Sequence, residues 1–158
     1  SLVEAENLLN ELLATDHTVA GNQEVVFAVP AIYIPLATQK LAGKNHVYVA
    51  AQNCHQKTSG AYTGELSASM LQSVGVHHIV LGHSERRELG ESDEMVSKKI
   101  SSAIKSGLVP ILCVGERARD EHGNYLNFLR NQIINSLGQL SKKFVSKIYN
   151  MWSNIMFF

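Results

Sequence analysis

At 158 residues, with 45% apolar and 18% charged side chains, the chain has room for one domain with a real core and little more. Its 14 basic and 14 acidic residues cancel, which excludes the electrostatic footprint of a nucleic-acid binder or an anionic-membrane binder. No apolar run reaches the roughly 18 residues of a membrane span, and Ser1-Leu2-Val3-Glu4-Ala5-Glu6 lacks the basic start of a signal peptide.

Leu2, Ala5, Leu8, Leu9, Leu12 and Leu13 recur at helical spacing, which predicts a helix over 2–14. Val25–Val29 reads as a β-branched strand closed by Pro30, and Pro35–Leu41 as a short helix with Pro35 in its first turn. Val47–Ala51 is the second strand. A polar loop over 52–64 precedes a helix expected at Glu65–Ser73, which Gly75 stops. The third strand is His77–Leu81. Ser92 is a good N-cap, with Asp93 and Glu94 in the first turn, for a helix that buries Met95, Val96, Ile100, Ala103 and Ile104 and ends at Gly107. Leu108–Val114 is the fourth strand. The last helix is expected over Asn124–Leu140, with Phe128, Leu129, Ile133, Ile134 and Leu137 facing the core.

Alternating strands and helices imply βαβ units around a parallel sheet, either an open doubly wound sheet or a barrel. In both, chemistry sits where strands end. The ends here are Pro30-Ala31, Gln52-Asn53, Gly82-His83-Ser84 and Gly115-Glu116. His83 is the main candidate. An imidazole at a strand end, facing the positive start of the next helical segment, is kept from becoming an imidazolium and can polarise a carbonyl. The competing reading is a structural strand-end histidine. Arg86 and Arg87 read as a phosphate clamp or as structural residues. His77 and His78 point to opposite faces of one strand and cannot share a metal. Neither GxGxxG nor GxxxxGK[ST] occurs, so no dinucleotide or P-loop site is expected; the scattered histidines suggest no metal, and no other cofactor is called for. Cys54 and Cys113 show no CxxC spacing, so a disulfide framework and a zinc site are not expected, which fits a reducing, cytoplasmic setting.

Gly82-His83-Ser84-Glu85-Arg86-Arg87 resembles the signature that ends the fourth strand of the triosephosphate isomerase family. Ala51-Gln52-Asn53-Cys54 and Gly60-Ala61-Tyr62-Thr63-Gly64-Glu65-Leu66-Ser67-Ala68 are similar to its third strand and long third loop. Gly90-Glu91-Ser92-Asp93-Glu94 and Cys113-Val114-Gly115-Glu116 are also similar. The resemblance spans roughly residues 2–148. It implies a (β/α)8 TIM barrel that interconverts dihydroxyacetone phosphate and glyceraldehyde 3-phosphate in glycolysis and gluconeogenesis, as a cytoplasmic homodimer. That enzyme is a much-used worked example of tuned acid–base chemistry, in which a carboxylate takes the proton and a neutral histidine polarises the carbonyl. The implied roles are electrophile for His83 and supporting carboxylate for Glu85. Thr63 and Glu65 would lie on a loop crossing to a partner subunit, Cys54 at its base and buried only in a dimer, and the structural Arg86-Arg87 pair near the interface.

The departures define a second set of expectations. The family's Asn-x-Lys element on its first strand has no match, and neither does the catalytic glutamate ending its sixth strand. The match stops after Lys147-Ile148, which divides the chain into a partial barrel domain, 1–148, and an unrelated apolar tail, 149–158. Ser1 in place of Met, and this tail, point to a fragment or a shifted reading frame. The expected fold is therefore a partial TIM barrel of about four parallel βα units, with open edges beside Val25–Val29 and Leu108–Val114 and an aggregation-prone tail. The expected activity of the chain alone is nil or nearly so. The alternatives are a non-catalytic remnant that pairs with full-length subunits and a half-barrel that dimerises into a new phosphate site.

Overall fold

The computed structural model describes residues 1–14, 23–116, 121–138, 140 and 155–157. Twelve elements alternate along them: α1 (Leu2–Ala14), β1 (Val25–Val29), a 3₁₀ turn (Ala31–Tyr33), α2 (Ile34–Leu41), β2 (Val47–Ala51), α3 (Ala68–Ser73), β3 (His78–Leu81), α4 (Ser84–Glu88), α5 (Asp93–Lys105), β4 (Val109–Leu112), α6 (Asn124–Leu137) and β5 (Ile155–Phe157). The strands form one parallel sheet in the order β4-β3-β2-β1-β5. Parallel pairing of consecutive strands requires each connection to cross back over the sheet, and α2, α3 and α5 do so.

Alternation along the strands sorts their side chains onto two faces. Phe27, Val49, Ala51, Ile79 and Leu81 face the helices, where Ile34, Ala37, Leu71, Val96, Ile100 and Ala103 meet them. Val26, Ala28, Ala50, Val80 and Ile111 form the opposite face with Tyr48 and Cys113 alongside. Both sets are buried, which explains why the strands read as near-continuous apolar runs rather than alternating ones. Pro110, which has no N–H to give a ladder, sits in the strand at one margin of the described sheet.

Several expected boundaries move. The helix expected from Glu65 begins at Ala68, because Leu66 is held extended: its carbonyl accepts the His55 N–H at 2.8 Å, and His55 bridges to Ser67. Ser67 then caps α3 by accepting the Met70 N–H at 3.2 Å. Met95 is exposed rather than buried in α5, and Lys99 is buried instead. In α6, Phe128 and Ile134 face outward, and the buried positions are Gln132 and Ser136. The tail supplies β5, whose backbone pairs with Val26–Ala28 of β1. The edge beside Val25–Val29 is therefore occupied rather than open. The boundaries expected over 117–120 and 141–154, including most of the tail, fall outside the described residues.

Candidate active site

The carboxyl ends of β3 and β4 open onto a cleft of about 900 Å³ whose walls include His83, Ser84, Arg87, Cys113, Glu116 and Phe128. β3 stops at Leu81 because Gly82 turns the chain with φ +73°, a conformation that suits glycine. His83 follows as the N-cap residue of α4, so the imidazole leaves the sheet at the point where strand becomes helix. Its side chain is about one-third exposed, and its Nδ1 lies 3.6 Å from Glu85 Oε2. The Glu85 carboxylate is otherwise open to solvent.

Two ionic clusters hold this end of the sheet. Arg87 donates from Nε to the Gly82 carbonyl at 2.6 Å and pairs through Nη1 with Asp93 at 2.5 Å. Its Nη2 donates to Ser136 Oγ at 3.2 Å and reaches the Cys113 carbonyl at 3.5 Å. The guanidinium has five N–H donors, and its own chain takes up most of them, which leaves little for a phosphate. Of the two readings of Arg87, these bonds favour the structural one. The second cluster lies at the exit of β2. Lys99 Nζ pairs with Glu91 Oε1 and donates to Asn53 Oδ1 at 2.8 Å, joining the exit of β2 to the start of α5. Both charged side chains are almost wholly buried, so each depends on the other for compensation. Gln132 completes the β4 exit by accepting the Gly115 N–H at 2.9 Å.

The remaining residues singled out from the sequence are scattered around this centre. Cys54 is only 2% exposed within the single chain, so its own core covers it, correcting the expectation that burial needs a dimer. Burial pushes its thiol up to about 11, which leaves it a poor nucleophile. Cys113 lies on the cleft wall and is half-buried rather than deep in the core. Burial raises its pKa as well, against the opposing charge of Arg87. Thr63 and Glu65 are exposed on the long loop, where Tyr62 packs its ring on His55 at 4.2 Å. Arg86 is half-buried, and its Nε is enclosed without a hydrogen-bond partner. Among the described residues, no group of three or more His, Cys, Asp or Glu is arranged to hold a metal ion. No helix among them is long and apolar enough to cross a membrane.

Sequence reasoning missed the hub role of Arg87, the Lys99–Glu91 pair, and both Gln132 and Ser136. One signal was present. Gln132 and Ser136 stand four apart on α6, a polar stripe on a helix whose apolar residues had been assigned to the core.

The family model for triosephosphate isomerase matches residues 1–149. A triosephosphate isomerase of Flavobacterium johnsoniae is 39% identical over 147 residues, which cover 92% of this chain and 58% of that protein. The Cytophaga hutchinsonii enzyme is 40% identical over 152 residues, covering 94% and 59%. The crystal structure of triosephosphate isomerase from Bartonella henselae superposes with a TM-score of 0.75 at 36% identity, over 85% of this chain and 57% of that one. The chain thus spans a little under three-fifths of the length of these relatives, and its parallel sheet is part of a TIM barrel. Sequence and fold agree, and the chain belongs to the triosephosphate isomerase family.

Proposed function

We propose that this chain carries the electrophilic half of an aldose–ketose isomerase site for triose phosphates, working in the cytosol. One observation carries the reading: His83 stands at the carboxyl end of a parallel strand, partly open to a cleft, where chemistry is placed in this architecture. From there, an imidazole N–H can donate to the substrate's carbonyl oxygen and stabilise the charge that develops as a base removes the neighbouring proton. No carboxylate of this chain matches the family's base by sequence, so the 158 residues alone give no turnover at family-like rates.

The test is a chimera in which residues 77–116 replace the corresponding block of the Bartonella henselae enzyme. The chimera is expected to isomerise glyceraldehyde 3-phosphate, and His83→Gln in it to lower kcat by roughly 10²–10⁴-fold, the usual contribution of a positioned proton-transfer group. An undiminished kcat in His83→Gln would sink the proposal.

A second reading, an interaction role with full-length subunits or with its own copy, draws on the long loop. Tyr62, Leu66 and Met70 are exposed around Thr63 and Glu65. Such a surface suits a partner that covers the apolar side chains. Light scattering of the chain alone, and with an intact family dimer, separates the cases. A monomeric chain that leaves the intact enzyme's mass and rate unchanged rules this reading out.

A further inference from the structure

We propose that Arg87 is a positioning residue for His83, and that its guanidinium, together with its own backbone N–H, sets the direction in which the imidazole leaves the sheet. The inference rests on reading His83 as the electrophile.

Peptide units are rigid planes, so the conformation at His83 is set by the two planes that flank it. Arg87 holds both. Its Nε donates to the Gly82 carbonyl at 2.6 Å, on the plane before His83. Its backbone N–H donates to the His83 carbonyl at 3.1 Å, on the plane after it. The side chain is in turn held from three other elements. Asp93 at the start of α5 pairs with Nη1, Ser136 on α6 accepts from Nη2, and Ser136 Oγ donates to Asp93 at 3.1 Å. The Cys113 carbonyl, at the exit of β4, lies 3.5 Å from Nη2. The guanidinium therefore measures the His83 backbone against β4, α5 and α6 together.

Gly82 carries the independent mark of this arrangement. A Cβ built there would stand 2.7 Å from Arg87 Nη2 and 3.3 Å from the Cys113 carbonyl oxygen. Glycine at 82 is required by its positive φ and also by the guanidinium that fills the side-chain space. Lysine cannot replace this group, because a single ammonium lacks the planar fork that reaches a carbonyl, a carboxylate and a hydroxyl at once.

The experiment is histidine side-chain NMR on the full 158-residue chain with ¹⁵N-labelled imidazoles. The His83 signal is assigned by its loss in His83→Gln, and His78, at the other end of β3, is the internal reference. In Arg87→Lys and Arg87→Ala the His83 ring resonances are expected to shift and broaden while the His78 signal stays in place. Methylguanidinium added to Arg87→Ala is expected to move His83 back. If Arg87→Ala does not fold, Ser136→Ala, which removes one acceptor of the same guanidinium, is expected to give the same displacement at smaller amplitude. A His83 signal unchanged in the folded variants overturns the proposal, as does one that moves only in step with His78. The signal is read without turnover. A negative result therefore leaves the isomerase reading intact, and a His83→Gln chimera with an undiminished rate removes that reading without altering the ring result.

Discussion

His78 at the start of β3 and His83 just past its end are treated in opposite ways. His78 opens the strand with its side chain 5% exposed, its ring edge-on to Tyr48 at 5.1 Å and its Nε2 3.7 Å from Glu24. Its Nδ1 is buried without a partner. Burial, with a smaller contribution from His77, pushes its pKa down to about 4 despite the nearby carboxylate. His83 follows the strand's far end, one-third exposed on the cleft and set between peptide planes held by the guanidinium and the backbone N–H of Arg87. The same side chain is packing material at one end and a displayed group at the other. In a parallel sheet all strands begin on one side and finish on the other, so apolar contacts can collect at the starts and polar exits at the finishes. Here the finishing side is held by ion pairs and hydrogen bonds between elements.

The largest test of this contrast removes a charge from the finishing side. Glu91→Gln leaves the Lys99 ammonium buried beside Asn53 with no counter-charge, and the unfolding free energy should drop by about 3–5 kcal/mol in a urea titration. A loss well under ~1 kcal/mol would mean that this end does not depend on its buried charges.

The next test addresses the starting side through pH. Unfolded His78 takes up a proton near the ordinary value of 6.5, whereas the folded protein resists until about 4. The unfolded state therefore binds more protons between these values, so stability is complete above pH 6.5 and falls as pH drops towards 4, by roughly 3 kcal/mol in all. His78→Leu should flatten that part of the profile. An identical slope in both proteins would assign it to other groups.

A smaller effect is expected where α5 enters the network. Ser92 Oγ accepts the Met95 N–H at 3.2 Å, and Ser92→Ala should cost about 1 kcal/mol by thermal or urea unfolding. The smallest effect belongs to His83 itself. On a partly exposed rim, His83→Gln should change stability by no more than about 0.5 kcal/mol. A cost comparable to that at a buried position would turn His83 into a second structural histidine and break the contrast.

Much of the fold is legible in the sequence. α1 spans the residues its apolar spacing indicated, β1 and β2 match to the residue, and Ser92 caps α5 as its position suggested. Each signal is local, arising within a few residues. α4 escaped notice because Ser84-Glu85-Arg86-Arg87-Glu88 has no apolar periodicity. It forms around backbone bonds from Arg87 to His83 and from Leu89 to Glu85, with the guanidinium anchored elsewhere. On α6 the expected face is right at Leu137, which packs on the core, and wrong at Phe128 and Ile134, which are exposed. Gln132 and Ser136 take the buried positions, where the Gly115 N–H and the Arg87 guanidinium give them partners. For the same reason the family motif located His83 but did not reveal what holds it.

The sequence by itself determined the alternation of strand and helix, the breaks at glycine and proline, and the placing of a histidine where a strand ends. Periodicity, capping and φ preference act between near neighbours, and a single chain states them without help. Only the tertiary structure decided which of two adjacent arginines becomes the hub, that Lys99 is buried against Glu91, and that a tail segment lies beside β1. A guanidinium selects its partners by distance and direction. Gly82, Asp93, Cys113 and Ser136 come within its reach only once the parallel sheet has brought two strand ends and two helices together.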